Sequence, residues 1–296
     1  MNKIKITPYL AFLFLCIAYG SSSALVVVIR KKVDPLILSS VRMFFGFLTS
    51  LLIFLYKTLS DHKYSRHIRQ SIASHSTNFR KGILCGVINY GFPYSLVAIS
   101  QRSVSTIAVQ ISQPFVPIFS LIGGHFLTIE KCSIQKFSFQ FISVIGTVLS
   151  SIPAFLHSEI KESSFIIDYF LLLISTVSFG FGAVFLKYFQ SKADQILLCV
   201  FQLFGAFLYS ILYGFFSMGP KQFISKLKEI EYDSLFEMFI LGVFYTCFTS
   251  HCVVYTMKNL GMVAANYTKL DKLLLAFLSV SLFLVNGMNT QHLTSL

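Results

Sequence analysis

Tryptophan is absent from the 296 residues, and only 12% of the chain is charged. Acids are scarcest: 12 Asp and Glu stand against 24 Lys and Arg. A soluble domain usually carries about a quarter charged residues, so this chain has too few to cover a water-facing surface. The phosphate-cradling pattern GxxxxGK[ST] does not occur, which argues against nucleotide-driven work by this chain. Six cysteines are scattered through apolar runs with no CxxC spacing. They read as small buried hydrophobes rather than metal ligands or disulfide partners. No cluster of His or acids and no nucleophile–base set stands out, so an enzyme is not expected, and no cofactor is implied.

What is present is apolar. Hydrophobic residues make up 55%, and the mean hydropathy is +0.72. A bilayer-crossing helix needs about 20 apolar residues. Such runs fall near 7–29, 36–57, 82–101, 104–128, 137–156, 167–189, 195–217, 238–258 and 262–285. The expected fold is therefore an all-α polytopic membrane protein with nine visible spans. The apolar run after Lys3 and Lys5 is too long for a signal peptide and has no convincing cleavage site, so it reads as a retained first helix. The polar stretch Met218–Glu237 has the pattern of a short surface helix.

The net charge of +12 would suggest nucleic acid in a soluble protein. Here the basic residues sit between apolar runs, where they orient a membrane protein, and no nucleic-acid partner is expected. The longest polar segment, Thr58–Lys81, carries Lys63, Arg66, Arg69, Arg80 and Lys81. It places the N-terminus in the cytoplasm, although Arg30, Lys31 and Lys32 then fall outside.

The chain also repeats itself. Residues 19–48 and 179–208 align without a gap: Gly20 on Gly180, Asp34 on Asp194, Phe44 on Phe204 and Leu48 on Leu208. Each copy is an apolar run, a short charged break with Asp, and a second apolar run. A weaker alignment pairs Tyr90 with Cys247, Tyr94 with His251 and Pro114 with Asp271. Five spans separate the copies, so the second enters the membrane from the opposite face. Such inverted repeats build secondary transporters, with a substrate site between the halves and alternating access. The halves are expected at 7–156, with five spans, and 167–285, with four.

Several residues suggest what the site does. Arg42 lies inside the second span. It either meets an anionic substrate group or serves structurally, pairing carbonyls or a carboxylate within snorkelling reach of the interface. Tyr90 and Tyr94 are four apart and share a helix face. Gln110 and Gln113 precede Pro114, which with Pro117 loosens the fourth span and frees carbonyls. His251 lies mid-span and titrates near neutrality when unperturbed, so it either relays a proton or holds a structural hydrogen bond. Tyr255 and Asn266 extend this lining set, and aromatics with a few hydrogen-bonding groups suit a small organic ligand. Lys269, Asp271 and Lys272 are the sharpest anomaly. If the last span starts at Met262 they lie in the membrane, where they could bind a zwitterion or Asp271 could carry a proton. If it starts near Leu273 they are interfacial.

Tyr19-Gly20-Ser21, the Asp34-Pro35 turn, Arg42, the small residues around Ala108, Gln113-Pro114, Glu130 and Gly146 together resemble the EamA half-domain. The resemblance is stronger in residues 8–150 than after 165. It implies the drug/metabolite transporter superfamily, with ten helices in two inverted five-helix halves. Its members move amino acids, nucleotide-type metabolites, sugars or cationic drugs across the bilayer. Three departures stand out: Gln202 replaces Arg42 in the second copy, Asp271 stands near the place of its proline, and Asn286-Gly287 replace a carboxylate. Leu296 ends the chain where a tenth span is expected, so the chain is either a nine-span variant or truncated. The expectation is a multi-pass protein of the bacterial inner membrane. It would carry a small polar metabolite, an amino acid or a derivative such as S-adenosylmethionine, coupled to protons or to exchange. The alternatives are a drug exporter of the same superfamily and a non-transporting truncated membrane protein.

Overall fold

The computed structural model describes residues 6–66, 76–101, 106–127, 165–190 and 194–261, with isolated positions between 68 and 149. Among the described residues every regular element is helical. Pro8 opens α1 (Thr7–Ile29) from its first turn, where a missing N–H costs nothing. Asp34 then turns the chain. Its backbone is extended (ψ 135°), its carboxylate accepts the Leu36 N–H at 3.0 Å, and Pro35 takes the first position of α2 (Pro35–Ser60). With 26 residues at about 1.5 Å each, α2 spans about 39 Å, enough to cross a bilayer.

The second copy of the repeat folds the same way. After α7 (Phe165–Gln190), Asp194 accepts the N–H groups of Ile196 and Leu197, both at 3.0 Å, and starts α8 (Gln195–Met218). Gly219, at φ +80°, ends α8 and admits α9 (Pro220–Lys228). This short helix matches the one expected in the polar stretch. Its Phe223 is buried among Ile29, Val33, Ile37 and Met238.

The third span of each half is widened by a π-turn. In the first half α3 (Ser76–Gly86) passes through Val87–Gly91 into α4 (Phe92–Ser100). Pro93 cannot donate to the Asn89 carbonyl four residues back and its ring crowds that carbonyl, so the ladder opens there. In the second half α10 (Tyr232–Gly242) passes through Val243–Phe248 into α11 (Thr249–Leu260). No proline is present. Instead the Thr246 hydroxyl donates to the Leu241 carbonyl at 3.0 Å and the Thr249 hydroxyl to the Tyr245 carbonyl at 2.9 Å. Hydroxyls of this kind compete with the backbone for its own carbonyls. The alignment that sets Tyr90 on Cys247 superposes the two π-turns in sequence.

Six helical stretches are long and apolar enough to cross a membrane, and they coincide with the first, second, third, sixth, seventh and eighth expected spans. The expected fourth span, 104–128, is broken rather than continuous. It consists of α5 (Thr106–Ser112), a 3-10 turn Gln113–Phe115 and α6 (Val116–Phe126), with Pro114 and Pro117 at the break. The expected fifth span, 137–156, is described only at isolated positions, and the ninth, 262–285, lies outside the described residues. Glu130 also lies outside them.

Packing between the helices of the two repeat copies is reciprocal. α1 lies against α10 and α11, while α7 lies against α3 and α4, so each opening helix covers the other half's third span. α2 and α8 cross at the centre. Phe44 meets Phe207 with ring centroids 5.5 Å apart, and Phe47 meets Phe204 at 5.2 Å. In the repeat, Phe204 is the counterpart of Phe44 and Phe207 of Phe47. Each contact is therefore the image of the other, the signature of an isologous pair. The order also makes α2 and α8 antiparallel, with Ser40 donating to the Ser210 carbonyl at 3.1 Å.

Small residues permit this approach. The carbonyl of Gln202 lies where a Cβ on Gly86 would be, only 1.8 Å from it. The carbonyl of Arg42, at the matching position of the repeat, lies 2.8 Å from a Cβ placed on Gly242. Only glycine allows such backbone contact at these two points.

The outward faces carry large apolar side chains: Tyr9, Leu10, Leu52, Leu173 and Phe216 are all more than half exposed or close to it. In water such a belt would drive aggregation; in hydrocarbon it is the proper surface. Among the described cysteines Cys16, Cys85, Cys199 and Cys247 are buried.

Candidate functional site

A cavity lies in the half of the bundle bounded by Pro35 and Gln101. Its volume is about 100 Å³, and it opens to the outside. Its polar groups come from Ser22 on α1, Ser39 and Arg42 on α2, and Gln101 and Gln113. Tyr94, Val97, Val109 and Phe179 give it an apolar wall. Phe179 belongs to α7, so both halves contribute. The mostly apolar lining with a few convergent polar groups is that of a small-molecule site.

Arg42 is the only charged group among the described lining residues, and it is 7% exposed. Its Nε donates to Thr246 Oγ1 at 2.7 Å and its Nη2 to the Tyr245 carbonyl at 3.2 Å. Both partners stand in the π-turn of the second half. On its face, the guanidinium carbon lies 4.7 Å from the centre of the Tyr94 ring, a cation–π contact. Of the two readings open for Arg42, pairing with a backbone carbonyl is present, and the same residue lines the cavity. No carboxylate pairs with it among the described residues.

Tyr90 and Tyr94 stack in parallel, 6.2 Å apart and 4° from coplanar. Tyr94 faces the cavity; Tyr90 sits behind it with its hydroxyl 3.1 Å from Ser250 Oγ. Gln113 is buried in the 3-10 turn and reaches the same cavity. Gln110 lies one turn earlier on α5. The structure does not bring His251 to the cavity. Its Nε2 lies 3.0 Å from Ser50 Oγ, a bond between α11 and α2 that matches the structural reading. Tyr255 is one turn further along α11, half-buried, and also does not line the cavity. Asn266, Lys269, Asp271 and Lys272 lie outside the described residues.

Thr246, Ser39 and Gln101 were not singled out by the sequence. Thr246 looks like one more hydroxyl in an apolar run. Its role rests on the π-turn and on a helix 204 residues away in sequence. The only sequence signal is the Thr246–Thr249–Ser250 cluster, which places three hydroxyls on nearly one face.

Two contacts tie the halves outside the membrane-spanning stretches. The Tyr64 hydroxyl donates to Asp194 Oδ1 at 2.6 Å, and Lys226 Nζ meets Asp34 Oδ2 at 2.9 Å. Each capping Asp is thus held by the segment that follows the other half's second span. Burial, then the Asp194 carboxylate, pushes the Tyr64 phenol well above its ordinary value, so it remains a donor.

Long apolar helices around a partly polar cavity define a polytopic helical membrane protein. Residues 6–152 match the model of the EamA-like transporter family. The chain belongs to that family, within the drug/metabolite transporter superfamily, and is an integral multi-pass membrane protein. EamA-like proteins are membrane transporters, not enzymes. No curated protein matches the chain.

Proposed function

We propose that this chain is a secondary carrier for a small polar organic metabolite, an amino acid or a derivative such as S-adenosylmethionine, working by alternating access. Its halves, 7–156 and 167–285, would have inverted topology. The reading is carried by one observation: the cavity at Arg42 is shared between halves whose central contacts, Phe44–Phe207 and Phe47–Phe204, are images of each other. Such reciprocity lets two packings of the same interface be nearly equal in energy, which alternating access requires.

Arg42, Tyr94 and Gln113 would contact the substrate, with Tyr90 supporting Tyr94. Asp271, Lys269, Lys272 and Asn266 would add a second polar group, and Asp271 is the residue we assign to proton coupling. The basic segment around Lys63 lies at the opposite end of α2 from Pro35. If that segment is cytoplasmic, as in a bacterial inner membrane with the N-terminus inside, the cavity lies toward the outer face.

The test is uptake into proteoliposomes of purified full chain. Radiolabelled amino acids, S-adenosylmethionine, nucleotides, sugars and a cationic dye are offered with and without a proton gradient or internal substrate. Saturable uptake of one class, lost in Arg42→Ala and Asp271→Asn while both variants remain inserted, supports the reading. Equal fluxes in protein-containing and empty vesicles for all classes overturn it.

A further inference from the structure

We infer that the ligand of the Arg42 cavity is an organic molecule with a single carboxylate, which it presents to the Nη1–Nη2 edge of that arginine. The inference rests on the carrier reading of the cavity and names the chemical class it takes.

A guanidinium has five N–H donors on two usable edges. The edge formed by Nε and Nη2 is occupied: Thr246 Oγ1 and the Tyr245 carbonyl each take one bond from it. Thr246 can accept because its own proton goes to the Leu241 carbonyl. One face of the plane is covered by Tyr94. These contacts fix the group's position and orientation. Both N–H groups of Nη1 and one of Nη2 are left without a partner among the described residues. They form the second fork of a side chain that lines the cavity. Two parallel N–H donors at that spacing match the two oxygens of a carboxylate.

The charge count narrows the class. The described lining holds one cation and no acid. A buried guanidinium without a counter-ion is costly, and an arriving carboxylate removes that cost. A dianion would leave a negative charge unmatched. A simple cation would add a second positive charge beside the first. The rest of the lining sets the remainder of the molecule. Val97, Val109 and Phe179 accept an apolar body, while Ser39 and Gln113 offer hydrogen bonds to one or two further polar groups.

The test compares molecules of one shape that differ in the carboxylate. Detergent-purified full chain is titrated with 3-phenylpropionate and 3-phenylpropionamide, and with L-phenylalanine and L-phenylalaninamide, by thermal stability and calorimetry. Phenyl phosphate serves as the dianion. Each acid is expected to bind at least tenfold more tightly than its amide, and phenyl phosphate more weakly than 3-phenylpropionate. In Arg42→Gln the acid-to-amide ratio should fall to near one. In Arg42→Lys, which keeps the charge but not the fork, it should fall at least threefold. Amides binding within twofold of the acids, neither acid binding, or a ratio that survives Arg42→Gln would overturn the inference. The wild-type comparison and Arg42→Lys decide the matter even if Arg42→Gln does not fold. Proteoliposomes that carry only solutes without a carboxylate would overturn this inference and leave the carrier reading standing.

Discussion

Arg42 on α2 donates from Nε to Thr246 Oγ1 at 2.7 Å, joining residues 204 positions apart. The bond ties a charge of the first half to a widened turn of the second. A shift of one half against the other must therefore move the cavity's only described charge. Removing the acceptor should loosen this link. Thr246→Val is expected to lower stability by about 1.5–3 kcal/mol, the usual worth of a hydrogen bond to a charged group. Thr246→Ser should recover most of it. Thermal melts of detergent-purified variants check this, and a wild-type melt for Thr246→Val would contradict it.

The contact of Gly86 with the Gln202 carbonyl tolerates no side chain. Gly86→Ala should cost about 3 kcal/mol, the upper range for overpacking, because backbone on both sides must move. Gly146→Ala meets nothing within 4 Å and should be neutral or slightly stabilising. Yields of monodisperse protein and melting temperatures distinguish the two. Equal behaviour would mean that α3 and α8 do not approach as described.

The Tyr64–Asp194 bond predicts a pH dependence at the alkaline end. The phenol is raised in the fold, so its contribution is fully present below the ordinary phenol range near 10. Above that, the unfolded chain ionises first and the contribution drains away as pH climbs toward the folded value. The gap in melting temperature between wild type and Tyr64→Phe should be constant from pH 6 to 9 and shrink above about 10. A gap that widens with pH would show that the bond does not hold the neutral phenol.

Antiparallel α2 and α8 place Asp34 and Asp194 at opposite ends of the bundle, which is testable by labelling. A cysteine at Lys31 and one at Lys63, both exposed positions, should react with a membrane-impermeant maleimide from opposite sides of sealed vesicles. The native cysteines Cys16, Cys85, Cys199 and Cys247 are buried, and Cys132 and Cys252 are replaced by Ser to remove background. Reaction of both positions from one side would rule out a membrane-crossing α2.

Asp34 and Asp194 show what kind of feature is legible in a sequence. An Asp after an apolar run and before another is a helix N-cap by local chemistry alone, and the repeat doubled the signal. Arg42 was conspicuous because a charge in an apolar run must find a reason to be there. The π-turns were not legible, because widening of a helix depends on which carbonyl each hydroxyl captures. For His251 the sequence left a proton relay and a structural hydrogen bond both open; which helix supplies a partner, here Ser50 on α2, depends on the packing.

The sequence alone determined that the chain is helical and membrane-embedded, because apolar runs of this length leave backbone no other way to satisfy its hydrogen bonds in hydrocarbon. It also determined where the chain turns and that the turn recurs about 160 residues later. Only the tertiary structure decided which side chains share the cavity. Membership of a site depends on helices crossing at points set by small residues and ring contacts, as Gly86, Gly242, Phe44 and Phe47 do here. Arg42, Tyr94, Gln113 and Phe179 come from four separate helical segments, and no local spacing encodes their meeting.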